Sequence, residues 1–186
     1  FVYPDPDALV VFAENHDTPR LLAHVDGNLA RWQLGMAYLA TVRGTPQFYY
    51  GSEVLLRGPK ERDDGQLRAD MPGGWAGDPA NAFSGNGLGD AQQSAQRYIR
   101  ALFNWRKRTP VLYYGALTHF APVDGVYVYV RHRGGAAVMV MLNKHDAPRT
   151  VALERFDAFL KGRRARLALT GKPLALGSTL EIPAMS

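Results

Sequence analysis

The sequence contains no cysteine, which excludes disulfide bridges and thiolate metal sites. It has no run of 18 apolar residues, so no segment reads as a membrane-spanning helix. No charged leader running into an apolar core is visible, and the start at Phe1 reads as the edge of a fragment. These absences leave localisation open, since the cytoplasm and a cysteine-poor bacterial periplasm fit equally. His24, His119, His132 and His145 share no ligand spacing, so no zinc site is expected. Anions are in deficit, giving a net charge of +5, and the excess gathers in Arg106-Lys107-Arg108 and in Lys161–Arg166. A nucleic-acid face would interleave such cations with stacking aromatics. The first cluster instead ends an expected helix, where cations meet the negative end of the macrodipole. The second precedes an alternating segment and reads as a solvated turn. Neither nucleic acid nor membrane is expected as a partner.

What is present is ordinary in bulk: 186 residues, 46% apolar and 21% charged, enough for one large or two small globular domains. The first half alternates strand and helix. Residues 8–12 form a short apolar run rich in β-branched side chains, the pattern of a buried parallel strand. A short helix near 19–25 follows, then Leu29–Val42, apolar on nearly every face and so expected to be buried all round. Gly44 suits its C-terminal cap, and Pro46–Tyr50 reads as a second short strand. Residues 51–90 are rich in Gly, Pro, Asp and Asn and read as a long functional loop. A last helix is expected from 91 to 108, capped by Asp90, with Ala95, Ile99 and Leu102 on its apolar stripe and Arg97, Arg100 and Arg106 off it.

From Thr109-Pro110 onward the period changes to two. Val126, Val128 and Val130 alternate with Tyr127, Tyr129 and Arg131, and further strands are expected at 136–142, 149–153, 164–169 and 179–182. Short strands at regular turns argue for an antiparallel β-sandwich. The expected division is therefore 1–108, an α/β unit, and 109–186, a β-domain.

Three ordered motifs carry the chemistry. Phe12-Ala13-Glu14-Asn15-His16-Asp17 ends the first strand in small polar groups, whose bland reading is an Asp17 cap on the next helix. Gly44-Thr45-Pro46-Gln47-Phe48-Tyr49-Tyr50-Gly51-Ser52-Glu53 follows, then Asp64-Gly65-Gln66-Leu67-Arg68-Ala69-Asp70-Met71-Pro72-Gly73-Gly74-Trp75. The first resembles the fourth signature motif of the α-amylase superfamily of glycoside hydrolases. The second resembles that family's eighth barrel strand and its turn. The third is similar to the Arg-x-Asp-Phe-Pro-Gly-Gly-Trp loop of the neopullulanase and cyclomaltodextrinase branch, with Met71 in place of Phe. The resemblance implies that residues 1–108 are the last two β/α units of a (β/α)8 TIM barrel and that 109–186 are the β-sandwich domain following it. Polar residues at the C-terminal ends of barrel strands face the catalytic mouth.

By the same resemblance, Asp17 is the family's third carboxylate, accepting hydrogen bonds from sugar hydroxyls that strengthen toward an oxocarbenium-like transition state. His16 contacts the same hydroxyls. Asn15, Arg20, Arg68 and Trp75 are candidate substrate contacts, Arg20 pairing with a carboxylate, lining the cleft or lying on a helix surface. Trp75 either stacks on a sugar or anchors its loop by burying the ring. Glu53 reads as structural. A retaining glycosidase needs a nucleophile and an acid about 5–5.5 Å apart. No segment resembles the family's Gly-x-Arg-x-Asp nucleophile motif, so both are expected upstream and the fragment alone is expected to be inactive. The implied activity is hydrolysis of α-1,4-linked glucans. A transglycosylase or sugar isomerase of the same family, or a non-catalytic carbohydrate-binding or assembly module, remains open. No cofactor is identifiable; calcium, bound by many members, has no recognisable ligands here. Apolar surface left by missing barrel neighbours is expected to make the fragment self-associate.

Overall fold

In the computed structural model, which describes residues 2–61 and 63–186, the chain begins with a strand–helix–strand unit. Strand β1 (Val10–Phe12) connects through helices α1 (Leu21–His24) and α2 (Leu29–Thr41) to β2 (Thr45–Gln47). The strands pair in parallel, Val11 opposite Pro46, an arrangement that needs such a crossover because a tight turn joins only antiparallel neighbours. Both strands are shorter than expected from 8–12 and 46–50. After β2 the left-handed Gly51 and Leu55 bracket a 3-10 turn at Ser52–Val54 that takes the chain out of the sheet. Gly44 (φ +97) does not cap α2, whose C-cap is Val42. Its role is close approach: a Cβ there would lie 2.6 Å from Leu9 O, the carbonyl that accepts from Thr45 N at 2.9 Å.

Helix α2 is buried on one face only. Trp32, Met36, Leu39 and Ala40 point inward, while Leu29 and Tyr38 are exposed. After α3 (Asp64–Leu67), helix α4 (Asp90–Lys107) packs Ala95, Ile99 and Leu102 against the inward face of α2. Its N-cap is Gly89 and not Asp90, because the Gln92 side chain reaches back to accept the Gly89 N–H at 3.0 Å. Tyr98 donates its hydroxyl to Gln33 O at 3.0 Å, and burial pushes its pKa up to about 12.

The second half opens with α5 (Val111–Tyr114), which the period-two reading missed. Strands β3 (Ala116–Val123), β4 (Val126–Arg133) and β5 (Ala136–Asn143) form one antiparallel sheet in sequence order. A register shift between Phe120 and Val123, around Pro122, hides β3 from a pattern search. Strand β6 (Arg149–Ala152) pairs with β9 (Thr179–Ile182), and β7 (Ala165–Arg166) with β8 (Pro173–Leu174); α6 (Asp157–Leu160) lies between β6 and β7. Val126, Val128, Leu153 and Phe156 form the shared core, with Met139 and Met141 from one side and Val151 and Leu180 from the other. The strand expected at 164–169 is only two residues long. Leu167 N donates to Lys172 O and Gly171 N to Leu167 O, closing a turn that leaves Leu167 and Leu169 outside.

Two buried arginines gather carbonyls around the end of α2, and one of them, Arg131, joins the halves. Arg131 is fully buried and donates Nη1 to Val42 O (3.0 Å) and Nε and Nη2 to Gly115 O (3.2 and 2.8 Å). Arg106, expected off the apolar stripe, is instead buried and donates to Ala40 O and Gly44 O. The carbonyls of Ala40 and Val42 belong to the C-terminal end of α2, where the macrodipole favours cations. Arg106 therefore meets another helix's dipole, not its own. Loss of solvation pushes both guanidinium pKa values down. Tyr129, also fully buried, shares a hydrogen bond with Thr41 Oγ1.

Candidate functional site

Beyond Phe12 the chain leaves β1 through Glu14, which is 2% exposed and carries a carboxylate with three protein partners. Leu21 N, in the first turn of α1, and Ser52 Oγ both donate to it. Arg20 Nη1 lies 3.5 Å from its Oε1. A buried carboxylate must be met in this way, because desolvation otherwise disfavours the charged form. Glu14, and not Asp17, thus serves the start of α1. Arg20 is itself 1% exposed, with its guanidinium 4.1 Å above the Tyr49 ring, and it donates to Tyr50 O (2.5 Å) and Leu67 O (2.9 Å). Of the three roles open to Arg20, the structure shows the carboxylate pair. It does so under the surface, welding the end of β1 to the turn after β2 and to α3.

On that base the next residues rise to the surface. Asn15 N donates to Thr18 Oγ1 (2.9 Å) and Asn15 Oδ1 accepts from Asp17 N (2.8 Å), so the short loop is folded on its own side chains. His16 Nε2 lies 3.1 Å from Asp17 Oδ2, and Arg68 Nη2 lies 3.1 Å from Asp17 Oδ1. Arg68 also donates Nε to His16 O (3.2 Å) and pairs with Asp64 (3.1 Å). The His16, Asp17 and Arg68 side chains are between 43% and 59% exposed. Residues from two separate sequence motifs therefore form one exposed cluster. Arg68 follows Leu67 directly, so the buried Arg20 bond to Leu67 O sets the position from which Arg68 reaches Asp17.

The Met71–Trp75 segment departs from the anchoring reading of Trp75 and leaves its ring outward. Met71 packs against the buried Val54, Ala82 and Leu88, and so anchors the loop. Gly73 (φ +90) supplies the positive dihedral expected of one glycine, and a Cβ there would meet Asn81 at 2.5 Å. Gly73 N and Trp75 N donate to Asp78 Oδ2 (2.8 and 3.2 Å). The Trp75 ring is 67% exposed and donates Nε1–H to Asp70 Oδ2 (2.8 Å), so it does not anchor by burial. Three glutamines at the start of α4 secure the rest: Gln92 donates to Val54 O, Gln93 to Leu88 O and Gln96 to Ala82 O.

Glu14 and Ser52 were missed by sequence reasoning. The signal was a carboxylate on the strand side of Asn15-His16-Asp17, six residues before an arginine that could meet it. Glu53 keeps Oε2 buried with no partner among the described residues. No group of three His, Asp or Glu side chains among the described residues could hold a metal ion.

Residues 117–186 match the family model of the cyclo-malto-dextrinase C-terminal domain. The cyclomaltodextrin glucanotransferase of Paenibacillus macerans is 30% identical over 136 residues, covering 73% of this chain and 16% of that protein. Its counterpart in Klebsiella oxytoca is 28% identical over 166 residues, covering 78% of this chain and 24% of that protein. This chain thus spans between about a sixth and a quarter of the curated relatives it matches. Among solved structures, the α-amylase of Geobacillus thermoleovorans in complex with acarbose superposes over 99% of this chain and 38% of its own, with a TM-score of 0.75 at 23% identity. The Anoxybacillus α-amylase does so over the same shares with a TM-score of 0.76 at 22% identity. At such identities these two share the fold. By the domain match, the relatives and the fold together, the chain belongs to the α-amylase family and covers a C-terminal portion of it.

Proposed function

We propose that this chain is the C-terminal portion of a retaining enzyme acting on α-1,4-linked glucans, in which Asp17 is the third, transition-state-stabilising carboxylate. Residues 1–108 are then the last two β/α units of a (β/α)8 barrel, and 109–186 the β-sandwich domain that follows. The parallel β1–β2 pair crossed over by α1 and α2 supports the barrel reading, and the family match over 117–186 supports the second unit. The observation that carries the functional reading is the cluster at the C-terminal end of β1, where His16 and Arg68 flank an exposed Asp17 on a rigid buried base. Asp17 accepts from the hydroxyls of the sugar being cleaved, with His16 beside it. Bonds that tighten as the ring flattens lower the barrier and not merely the binding energy. Arg68 holds Asp17 until sugar arrives, Asn15 fixes the backbone between them, and the outward Trp75 face offers a stacking platform. Arg20 acts from below through Glu14 and Leu67.

The nucleophile and acid lie outside these 186 residues. Hydrolysis and glucan transfer share this machinery, and the names of the glucanotransferase relatives favour weighing transfer equally. Val10 and Phe12, about half exposed on β1, support pairing of the isolated chain through its barrel portion. The test is product analysis on maltotriose. The full-length protein is expected to shorten or redistribute the chains, and the isolated 186 residues to leave maltotriose intact. An unreactive full-length protein contradicts the enzyme reading.

A further inference from the structure

Residues 97–108 and 161–172 hold ten of the 22 lysines and arginines and none of the 17 acidic residues. The rest of the chain therefore carries 12 cations against 17 anions, so the molecule is electrically lopsided. The two segments are far apart in sequence, and the fold brings them together. Arg97, Arg100 and Arg108 of α4 line a cleft of about 350 Å³ with Ala168 and Leu169 from the β7–β8 turn. Through Trp105 this cleft adjoins an apolar groove of about 890 Å³, edged by Arg163, Arg164 and Arg166. Arg97, Arg100 and Arg164 are exposed and make no hydrogen bond or ion pair among the described residues. Arg163 and Arg166 are exposed too, each donating to one backbone carbonyl. Between them the turn carries Leu167 and Leu169, 45% and 43% exposed.

We propose that this face docks on anionic lipid surfaces, with the Leu167–Leu169 turn entering the interface and the arginines meeting headgroup phosphates. Two partly exposed leucines on a surface turn gain from an apolar medium, and the cations around them gain from anions. A bilayer interface supplies both at one depth. Nucleic acid would offer the arginines phosphates but leave the leucines in water, and the nearby Trp105 is only half-exposed for stacking. An acidic peptide would pair with the arginines but leave the exposed part of both leucines in water. This is adhesion and not spanning, since no described helix is long and apolar enough to cross a membrane. The orientation also leaves the carbohydrate site free. Helix α4 meets Val54 at its start, near the end of β2, while Arg106 near its other end meets Gly44 before β2 begins. The basic face spans the middle and far end of α4, away from the His16–Asp17 cluster.

The test is co-sedimentation of the chain with vesicles of phosphatidylcholine alone or mixed with phosphatidylglycerol. Binding is expected only to the anionic vesicles and to fall with added salt. The variant Arg97→Gln/Arg100→Gln/Arg164→Gln, which removes no side-chain hydrogen bond or ion pair among the described residues, is expected to bind at least about tenfold more weakly. Leu167→Asn/Leu169→Asn is expected to lose about as much. Because the chain has no cysteine, Leu169→Cys can carry a single environment-sensitive dye. Its emission is expected to shift blue on anionic vesicles, while the same dye on Asp64→Cys, beside the His16–Asp17 cluster, does not. Equal binding to both vesicle types, no binding, an unshifted Leu169 dye, or a leucine variant that binds like the parent would overturn the proposal. So would duplex DNA bound as tightly as the vesicles.

Discussion

Replacing Glu14 by glutamine tests the buried base on which the proposed site stands. The substitution preserves volume but removes the charge and turns one acceptor oxygen into a donor. That donor then faces Leu21 N–H, or the Ser52 hydroxyl and Arg20, which also donate. Arg20, 1% exposed, loses its carboxylate partner, and breaking a buried ion pair costs about 3–5 kcal/mol. A charged hydrogen bond is worth about 1.5–3 kcal/mol, but this covers the same atoms and is not additional. Arg20 keeps the Tyr50 and Leu67 carbonyls and the Tyr49 face, which moves the expectation to the lower end, about 3 kcal/mol. Against a typical domain stability of about 5–15 kcal/mol, that loss is easily read. Urea denaturation at fixed protein concentration, followed by tryptophan fluorescence, gives the value. Glu14→Gln/Arg20→Met is expected to lose less than the two single changes added together, since no unpaired charge is left behind. A loss below about 1 kcal/mol for Glu14→Gln, or strict additivity, would refute the reasoning.

Arg131→Met leaves the Gly115 and Val42 carbonyls without these donors and is expected to cost about 2–4 kcal/mol by the same denaturation assay, part of the loss being offset because no guanidinium is buried. Gly73→Ala is expected to cost about 1–2 kcal/mol, because an L-residue is unfavourable at φ +90 and its Cβ would strike Asn81; faster proteolysis within 70–86 locates the effect. Tyr98 has a folded pKa of about 12, above its unfolded value, so its contribution is fully present below about pH 10 and is lost as the pH rises through 12. Denaturation midpoints measured across that range are expected to fall, and Tyr98→Phe to fall less steeply.

Local chemistry made much of this legible in the sequence. The helix expected over 29–42 followed from its dense apolar pattern, β4 from its alternation, and β5 from the apolar run after the Arg133-Gly134-Gly135 turn. What alternation could not show is which face is covered: Leu167 and Leu169 follow a strand pattern yet stand outside, because Lys172 and Gly171 close the turn first. Arg106 and Arg131 were unreadable as core residues, since their burial depends on carbonyls at the end of a helix many residues away. At the site, His16, Asp17, Arg68 and Trp75 were all visible by type and spacing. The pairing of Arg68 with Asp17, 51 residues apart, depends on the long loop folding back, and the Glu14–Arg20–Ser52 base on β1 and β2 lying side by side. For Trp75 the type alone allowed stacking or anchoring; the ring stands outward and Met71 anchors the loop.

The central claim is that Asp17 stabilises the transition state of glucan cleavage. Asp17→Asn in the full-length protein, assayed on maltotriose, tests it most directly. The substitution keeps the shape of the side chain and removes the charge that strengthens the sugar hydrogen bonds as the ring flattens. The account predicts that kcat falls by several orders of magnitude while KM changes little. A variant retaining more than half of the parent kcat/KM would contradict it.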